Sequence, residues 1–460
     1  MPMHGPALPL DLLCCPACGG ALDEGRAELR CRSCEAAYTD VGGVPWLFAD
    51  PAAALGEWRA RIHAFLGDVD AQAARYRAAL GDDVIRASTR SRLKLLSAAC
   101  TDHARRLRAV LAPLLAEAPA AAQEVYRGLG VELPGGQALT SYYANLHRDW
   151  SWGAAENAAT YRVLDEALGD RPSGRTLMLG VGAGRLAYDF HGRRRPDCLL
   201  AVDLNPLFLL AARCLYAGDA LDLYEFPVAP RDLASHAVLR QLRAPAPVGP
   251  GLHLVFADAT RPPFRPGAFD TVVTPWFVDI VEEDLAVFAR RLNAWLRPGG
   301  CWVNSGSLAF SGADPAHRYS LEEVLEIVSD AGFGAVEPRE DEVPYLASPA
   351  SRHARRETIV TFTAVKEREA PAAGVQRAAP EWLARTDLPV PLLPEIAGRQ
   401  LEMRVLAFVA SLVDGRRSVQ DIARVLAEKR MMTLQESEPA VLGFLARLHA
   451  ESRASSRPPL

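Results

Sequence analysis

Three alternating glycines lie at the centre of the segment Thr176 to Phe190, between an apolar run and a helical pattern of apolar residues. This order predicts a strand, a tight loop and a helix. Gly180, Gly182 and Gly184 can adopt positive φ angles and let a ligand approach the backbone, while the first amides of the helix face that ligand. A second apolar run ends at Asp203, about twenty residues further on, where an acid can accept the hydroxyls of a ribose. These residues predict a nucleotide-type pocket at the ends of two strands.

The spacing of the glycines separates two kinds of cofactor. Dinucleotide-binding loops require a glycine where this chain has Arg185, because the pyrophosphate lies on the helix start and the helix packs closely on the strand. The Gly-x-Gly-x-Gly spacing therefore favours S-adenosylmethionine. Taken alone, the loop leaves an ordinary glycine-rich connection as the alternative.

Later segments extend the alternation of strands and helices. Apolar runs at Leu252 to Ala257, Phe269 to Val273 and Cys301 to Asn304 predict three more strands, and Asp258 directly follows the first of them. A turn at Pro298 to Gly300 precedes the last. This succession resembles class I methyltransferases, which implies an α/β fold with a Rossmann-like, seven-stranded sheet and S-adenosylmethionine as the cofactor.

Four segments of the sequence resemble one particular family of methyltransferases. They are Arg148-Asp149-Trp150-Ser151, Gly180 to Ala187, Trp276-Phe277-Val278-Asp279 and Trp302 to Gly306. Together they resemble the signatures of the carnosine N-methyltransferase family, whose members methylate a ring nitrogen of a histidine-derived imidazole. The resemblance implies that Asn145 and Arg148 hold the methionine carboxylate of the cofactor. Arginine suits this role because its fork donates two parallel hydrogen bonds to a carboxylate.

The expected sites combine these residues with the resemblance. The expected cofactor-binding residues are Asn145, Arg148, Gly180, Gly182, Gly184, Arg185, Asp203, Asp258, Ala259 and Pro275. The expected substrate-binding residues are Phe277, Asp279 and Tyr345, and Asp279 is also the expected catalytic residue.

Asp279 lies just past the end of the predicted fourth strand. A carboxylate there can accept one imidazole N–H and leave the lone pair of the other ring nitrogen directed at the methyl group. The alternative is an N-cap for a helix that begins near Glu282.

The chain departs from the family at the substrate side of the site. The family has a histidine where this chain has Phe310-Ser311, and tyrosines where it has Arg355 and Arg356. These departures favour a histidine-like group in a larger molecule or peptide over carnosine itself.

Five of the nine cysteines lie within the first 34 residues. Cys15, Cys18, Cys31 and Cys34 form two Cys-x2-Cys pairs that a hairpin can bring around one tetrahedral zinc ion. Four thiolates leave no open coordination position, so the zinc is expected to be structural; metal-free cysteines are the alternative. Residues 8 to 50 resemble the small zinc-ribbon-like domain of tRNA and translation-factor methyltransferases, which implies contact with the catalytic domain or a substrate.

Two regions flank or interrupt the catalytic pattern. Residues 51–135 have helical spacing, and Pro113 predicts a kink or an early end of the last helix there. The proline-rich insertion Gly218 to Gly251 predicts a lid over the active site, a binding surface or a disordered segment.

The end of the chain predicts a small module of three short helices, with Ser418 as an N-cap. Its winged-helix-like pattern resembles the leader-peptide-binding domains of peptide-modifying pathways, and a dimerisation or packing module remains open. The expected organisation is a zinc ribbon (1–50), a helical region (51–135), a methyltransferase domain (136–368), a linker (369–380) and this module (381–452).

Composition limits the partners. The net charge of -5 arises from 51 basic and 56 acidic residues, so nucleic acid is not an expected partner. No apolar run reaches the roughly 18 to 20 residues that span a bilayer, which favours a cytoplasmic protein without a membrane partner. The expected function is S-adenosylmethionine-dependent methylation of an imidazole nitrogen in a small molecule or peptide, with a peptide or protein as a candidate partner of the last module. The alternative is a methyltransferase-fold scaffold whose zinc and C-terminal modules recruit a peptide.

Overall fold

The computed structural model describes residues 8–25, 28–82, 84–115, 139–281, 283–310, 315–370, 389 and 404–454. The described residues up to 370 form one compact unit, and residues 404–454 belong to a second. The end of the predicted helical region (116–135), most of the predicted linker and the start of the predicted last module lie outside the described residues.

The N-terminal segment forms a small antiparallel sheet. Within the described residues it comprises β1 (Leu22–Glu24), β2 (Glu28–Cys31), β3 (Ala37–Val41) and β4 (Val44–Pro45). Gly42 and Gly43 join β3 to β4 with φ angles of 59° and 80°, as a two-residue hairpin turn requires.

Two long helices follow, α1 (Pro51–Ala79) and α2 (Ala87–Val110). Asp50 caps the first turn of α1 with its side chain. Trp58, Ile62 and Leu66 recur at intervals of four residues and are buried on one face of α1. α2 ends before a 3-10 turn that contains Pro113, which confirms the early end predicted from this proline.

The region between residues 139 and 370 alternates helices and strands. Its helices are α3 (Ala144–His147), α4 (Ala154–Leu168), α5 (Arg185–Arg194), α6 (Pro206–Tyr216), α7 (Leu285–Trp295) and α8 (Leu321–Asp330). Its strands are β5 (Arg175–Leu179), β6 (Cys198–Asp203), β7 (Ala220–Glu225), β8 (Val238–Arg243), β9 (Leu252–Phe256), β10 (Phe269–Pro275), β11 (Leu296–Gly306), β12 (Arg339–Tyr345) and β13 (Arg355–Val365). A π-helical turn, Arg148–Trp152, connects α3 to the segment before α4.

Seven of the described strands form the central sheet in the order β9-β6-β5-β10-β11-β13-β12. Of these, β13 alone runs antiparallel to its neighbours. The predicted α/β fold with a class I methyltransferase sheet is confirmed. The predicted turn at Pro298 to Gly300 lies inside β11 as a bulge, because Phe269 pairs with Leu296 whereas Thr271 pairs with Cys301.

The small N-terminal sheet is joined to the edge of the central sheet at β9. Trp46 forms a parallel bridge with Phe256, and the Leu47 N–H donates to the Phe256 carbonyl at 2.8 Å. The Cys14 N–H donates to the Pro263 carbonyl, also at 2.8 Å. The segment therefore covers an edge that would otherwise present unpaired backbone groups.

The insertion Gly218 to Gly251 was predicted as a lid, a binding surface or a disordered segment, but it contains the antiparallel hairpin β7–β8. The Tyr143 hydroxyl donates to the Tyr224 carbonyl at 3.0 Å, and the His147 ring nitrogen lies 3.1 Å from the same oxygen. His103 of α2 packs edge-on against Tyr143 and Tyr224. The hairpin thus joins α2 to α3.

The second unit consists, within residues 404–454, of α9 (404–411), α10 (Val419–Glu428) and α11 (Leu434–Ala454). Ser418 caps α10 as predicted, in a reciprocal pair of bonds with Asp421. Val409, Ile422 and Val441 form part of its small core. Residues 404–454 contain no strand. The three predicted helices are therefore present in this range, but the strands of a winged helix are not.

Candidate active site

A cavity of about 540 Å³ opens at the carboxyl ends of β5, β6, β9 and β10. The chain crosses from one side of β5 to the other at this point, so the cavity lies at the topological switch point where open α/β sheets bind ligands. No residue from 218–251 lines it, so the insertion does not cover the cavity within the described residues.

The cavity brings together most of the residues predicted from the sequence. Those that line it are Asn145, Arg148, Gly180, Gly182, Asp203, Asp258, Ala259, Pro275, Phe277, Asp279 and Tyr345. Gly184 and Arg185 do not line it.

The glycine loop presents one open backbone position. Gly180 has a φ angle of 66°, and a Cβ atom there would collide with the ring of Phe277. Gly182 has a φ angle of 53°, and a Cβ atom there would have no heavy atom within 4 Å. Gly182 is therefore the position at which a ligand can lie against the loop.

Gly184 and Arg185 serve the scaffold instead of the cavity. The Tyr216 hydroxyl donates to the Gly184 carbonyl at 2.5 Å and leaves no space for a side chain at Gly184. The Arg185 guanidinium donates to Asp189 at 3.0 Å and to the Asp149 carbonyl at 2.8 Å. Arg185 therefore joins α5 to the π-helical turn, and its position after the glycines does not direct it to the ligand space.

Asp203 at the end of β6 is held by the backbone. Its Oδ2 accepts the Gly182 N–H and its Oδ1 accepts the Asn205 N–H, both at 2.8 Å. Burial raises the pKa of Asp203 above its ordinary value, and these N–H groups oppose that effect. The carboxylate is thereby oriented at the cavity wall, next to the open position at Gly182.

Asp258 begins the segment after β9 that forms another wall. Its Oδ1 accepts both the N–H and the hydroxyl of Thr260 at 2.8 Å. The Arg291 guanidinium donates to the Ala259 carbonyl at 3.3 Å, which fixes the same segment from α7. This wall has the acid and the apolar residue that the sequence predicted for the cofactor.

Asn145 and Arg148 approach from α3 and the π-helical turn. The Arg148 guanidinium contacts Asp149 Oδ1 at 2.7 and 2.8 Å and lies over the Tyr345 ring at 5.4 Å. The Tyr345 hydroxyl donates to Asn145 Oδ1 at 3.4 Å. α3 and the turn thus each contribute a polar side chain to the cavity. π-Helical turns are frequent at functional sites.

Asp279 follows β10, and only one of its two carboxylate oxygens is hydrogen-bonded within the described residues. Its Oδ2 accepts the Ser307 hydroxyl at 2.6 Å and the Ala309 N–H at 2.9 Å. Its Oδ1 is buried and has no hydrogen-bond partner among the described residues. The alternative prediction, that Asp279 caps the next helix, is wrong: Asp284 caps α7 by accepting the Ala286 N–H at 3.0 Å.

The cavity residues that were not assigned from the sequence include Tyr142, Ser307, Arg355 and Glu357. Burial raises the pKa of Tyr142, the nearby side chains of Tyr345, Asp279 and Glu357 raise it further, and Arg355 opposes them. These groups therefore share one region of the cavity. The spacing of Arg355 and Glu357, two residues apart on a strand, is the signal that could have placed both on one face.

The four predicted metal ligands also come together. The sulfur atoms of Cys15, Cys18, Cys31 and Cys34 all lie within 4.8 Å of one another. Two of the separations are 3.7 Å, between Cys15 and Cys34, and 3.4 Å, between Cys18 and Cys31. A tetrahedral zinc site with bonds of about 2.3 Å has sulfur atoms about 3.8 Å apart, so the cluster fits such an ion.

Two family models match the region that supplies most of the cavity residues. A methyltransferase domain model matches residues 177–303, and the carnosine N-methyltransferase model matches residues 250–368. The strand order and these matches define a methyltransferase fold of class I. Within that class, the resemblance to the carnosine N-methyltransferase family is confirmed over residues 250–368.

No curated protein matches the chain significantly. Among solved structures it is similar to phosphoethanolamine N-methyltransferase 2 of Haemonchus contortus in complex with S-adenosyl-L-methionine, at 16% identity and a TM-score of 0.31. That likeness covers 46% of this chain and 53% of the other, so this chain spans about half the length of that protein.

Two shorter chains of known structure have similar sequence identities and TM-scores to this chain. A possible histamine N-methyltransferase from Thermotoga maritima has 14% identity and a TM-score of 0.31, over 50% of this chain and 98% of that one. A chain from the Haloferax volcanii complex of the Trm112 methyltransferase activator with a proposed methyltransferase has 13% identity and a TM-score of 0.33, over 50% and 96%. In the part of this chain that the structure describes, every helix is too short or too polar to cross a membrane.

Proposed function

We propose that the enzyme methylates an imidazole nitrogen of a histidine-like acceptor. The observation that carries this proposal is Asp279, whose buried Oδ1 lacks a hydrogen-bond partner among the described residues while Ser307 and Ala309 hold its Oδ2. A buried acceptor atom without a partner is costly, so a donor from a ligand is the natural complement. An imidazole N–H is such a donor.

Asp279 would set the reactive state of the ring. By accepting the proton-bearing nitrogen, its Oδ1 leaves the second nitrogen with a free lone pair. That nitrogen provides the electron pair of the new N–C bond, and the positive charge that develops on the ring lies next to the carboxylate. The product ring loses its proton at the nitrogen that faces Asp279, and the carboxylate or water takes it up.

The cofactor half of the cavity is proposed to use residues on three walls. Gly182 offers the open backbone position, Asp203 an acceptor for ribose hydroxyls, and Ala259 an apolar surface for a base. Asn145 and Arg148 would bind the amino-acid end, where a guanidinium suits a carboxylate. When bound, S-adenosylmethionine supplies an electrophilic methyl group.

We also propose that the cysteine cluster holds one structural zinc ion. Four sulfur atoms at these separations complete a tetrahedral site and leave no position for substrate. The cluster therefore takes no part in methyl transfer.

The test of the proposed function compares two carboxylates near β10. Asp279→Asn should keep cofactor affinity but lower single-turnover methylation of an imidazole acceptor by on the order of 2 to 4 kcal/mol, or roughly 30- to 1,000-fold. The amide retains the shape of the side chain but loses the charge next to the ring.

Asp284→Asn is the matched control. Asp284 caps α7, does not line the cavity, and an asparagine can still cap the helix. Its turnover should equal that of the wild type. Wild-type turnover in Asp279→Asn as well would contradict the assigned role.

A further inference from the structure

Tyr345 is a buried residue that contacts both ends of the cavity. Its hydroxyl donates to Asn145 Oδ1 at 3.4 Å, and the Arg148 guanidinium lies over its ring, 5.4 Å from the centre. These two partners are the residues proposed for the amino-acid end of the cofactor. On the other side, the rings of Tyr345 and Trp276 are 5.2 Å apart, and the Arg355 guanidinium lies 4.5 Å from the Tyr345 ring. One side chain therefore lies between the expected positions of the two ligands.

The backbone directly after Tyr345 is fixed from behind. Glu156 is 6% exposed, and its carboxylate accepts the N–H groups of Leu346 and Ala347 at 3.0 and 2.8 Å. Leu346 has a φ angle of 55°, which a bulky residue keeps only where its neighbours hold it. With the backbone held, the direction of the Tyr345 side chain depends on the partners of its ring and its hydroxyl.

The hydrogen bond to Asn145 is the contact that a cofactor can change. At 3.4 Å it is longer than the roughly 2.8 Å typical of a hydroxyl donor, so it has room to tighten. An asparagine amide has an acceptor oxygen and a donor nitrogen, and with Oδ1 facing Tyr345 its Nδ2 can donate to a carboxylate. A cofactor carboxylate bound by Nδ2 would hold the amide in this orientation and so secure the acceptor for the Tyr345 hydroxyl.

Trp276 connects the Tyr345 ring to the acceptor side of the cavity. It follows β10 with a φ angle of 51° and lies three residues before Asp279. Its N–H donates to the Ser305 carbonyl at 2.9 Å, which fixes its backbone against β11. Both rings line the cavity, so a fixed Tyr345 ring restricts the Trp276 ring and with it the wall next to Asp279.

We propose that Tyr345 is a positioning residue that couples the two binding events, so that the amino-acid end of the cofactor strengthens binding of the acceptor. This inference rests on the proposed function, in which Asp279 receives the imidazole of the acceptor. Because such coupling is reciprocal, the acceptor strengthens binding of the cofactor by the same factor.

The test measures the affinity for histidine, a small imidazole acceptor, by isothermal titration calorimetry with two cofactor analogues. S-adenosylhomocysteine has the amino-acid end, whereas 5′-methylthioadenosine keeps the adenosine and the sulfur atom but lacks that end. Saturating S-adenosylhomocysteine should lower the Kd for histidine by about fivefold or more, within the usual range of coupling between sites. 5′-Methylthioadenosine should lower it by less than about twofold, because it has no carboxylate for Asn145.

Tyr345→Phe keeps the ring but removes the hydroxyl, so it should reduce the effect of S-adenosylhomocysteine to less than about twofold. Binding of 5′-methylthioadenosine by this variant shows that it is folded. Tyr161→Phe is the matched control, because the Tyr161 hydroxyl donates to Asp165 Oδ1 at 3.0 Å and the residue does not line the cavity. The control should keep the full effect.

The outcomes separate this inference from the function on which it rests. An equal Kd for histidine with and without S-adenosylhomocysteine, an equal effect of both analogues, or the full effect in Tyr345→Phe would overturn the role of Tyr345 while imidazole methylation stands. If histidine is neither bound nor methylated, the proposed function is wrong and the inference is wrong with it.

Discussion

The carboxylate of Asp279 owes its orientation to a neighbouring strand. Ser307 and Ala309 follow the end of β11 and hold one oxygen, so the other is directed by structure that is distant in sequence. Trp276, at the end of β10, has a φ angle of 51°, and Gly306 allows its backbone to approach closely. A residue with positive φ at this point turns the chain so that Phe277 and Asp279 line the cavity.

At the residue scale, Gly182 provides a test of the cofactor site. Gly182→Val should weaken S-adenosylmethionine binding by about tenfold or more, or about 1.4 kcal/mol, because the new side chain occupies the open space at the loop. Isothermal titration calorimetry measures this change.

Gly169→Val controls for backbone strain. Gly169 has a φ angle of 56°, has equally open space around its Cβ position and does not line the cavity. It should lose thermal stability but retain cofactor affinity. Wild-type affinity in Gly182→Val would remove the glycine loop from the cofactor site.

The acids at strand ends could be predicted because their signal is local. Asp203 and Asp258 directly follow apolar runs, and parallel strands bring such ends to one edge of the sheet. The sequence could not assign three other cavity residues to the site, because their positions depend on how separate elements meet around the cavity. These residues are Tyr142, Ser307 and Glu357. Arg185 was predicted to bind the cofactor because it follows the three glycines in sequence. Its guanidinium instead donates to Asp189 and to the Asp149 carbonyl, contacts that the motif does not reveal.

At the scale of elements, the π-helical turn connects the two halves of the cavity. The Trp150 indole donates to the Ala183 carbonyl at 2.7 Å and so ties this turn to the glycine loop. Glu156 of α4 accepts the N–H groups of Leu346 and Ala347 at 3.0 and 2.8 Å, which fixes the chain directly after Tyr345. The π-helical turn and the start of α4 thus hold two sides of the cavity.

The cysteine cluster gives a prediction for the N-terminal sheet. Wild-type protein purified without added zinc should contain about one zinc ion per chain, and Cys34→Ser should lose most of it. The first 50 residues should then be cleaved faster by protease. Cofactor binding is not expected to require the Cys34 thiolate, because the cluster is separate from the cavity residues.

Cys14→Ser is the control for this prediction. Cys14 neighbours the cluster in sequence but is not one of its four members, so the variant should retain the metal. A metal-free wild-type protein with a protease-resistant N-terminal sheet would contradict the zinc site.

Some of the strands could be predicted from the sequence, and the hairpin β7–β8 could not. Five strands of the central sheet, β5, β6, β9, β10 and β11, follow from apolar runs, and they are confirmed. The hairpin β7–β8 was missed because the proline-rich composition of the insertion suggested a loop, whereas contacts with Tyr143 and α2 stabilise it. Such tertiary contacts are not visible in a local pattern.

For the whole molecule, the described residues up to 370 act as one scaffold. Leu12, Leu13 and Leu47 of the N-terminal segment share a core with strands of the central sheet. Tyr142, Asn145 and Arg148 reach the cavity from outside the region that the family models match. Asp203, Asp258 and Asp279 line one cavity in a methyltransferase fold, as the proposed enzyme requires.

The most direct measurement of the central claim is the position of the transferred methyl group. The enzyme would be given S-adenosylmethionine with a ¹³C-labelled methyl group and histidine as the acceptor, and the product would be analysed by NMR. We expect a labelled methyl group on an imidazole nitrogen, with coupling to the ring protons, and a much lower yield with Asp279→Asn. A methyl group on the α-amino nitrogen or on the carboxylate, or cofactor binding without methylation of any imidazole, would contradict it.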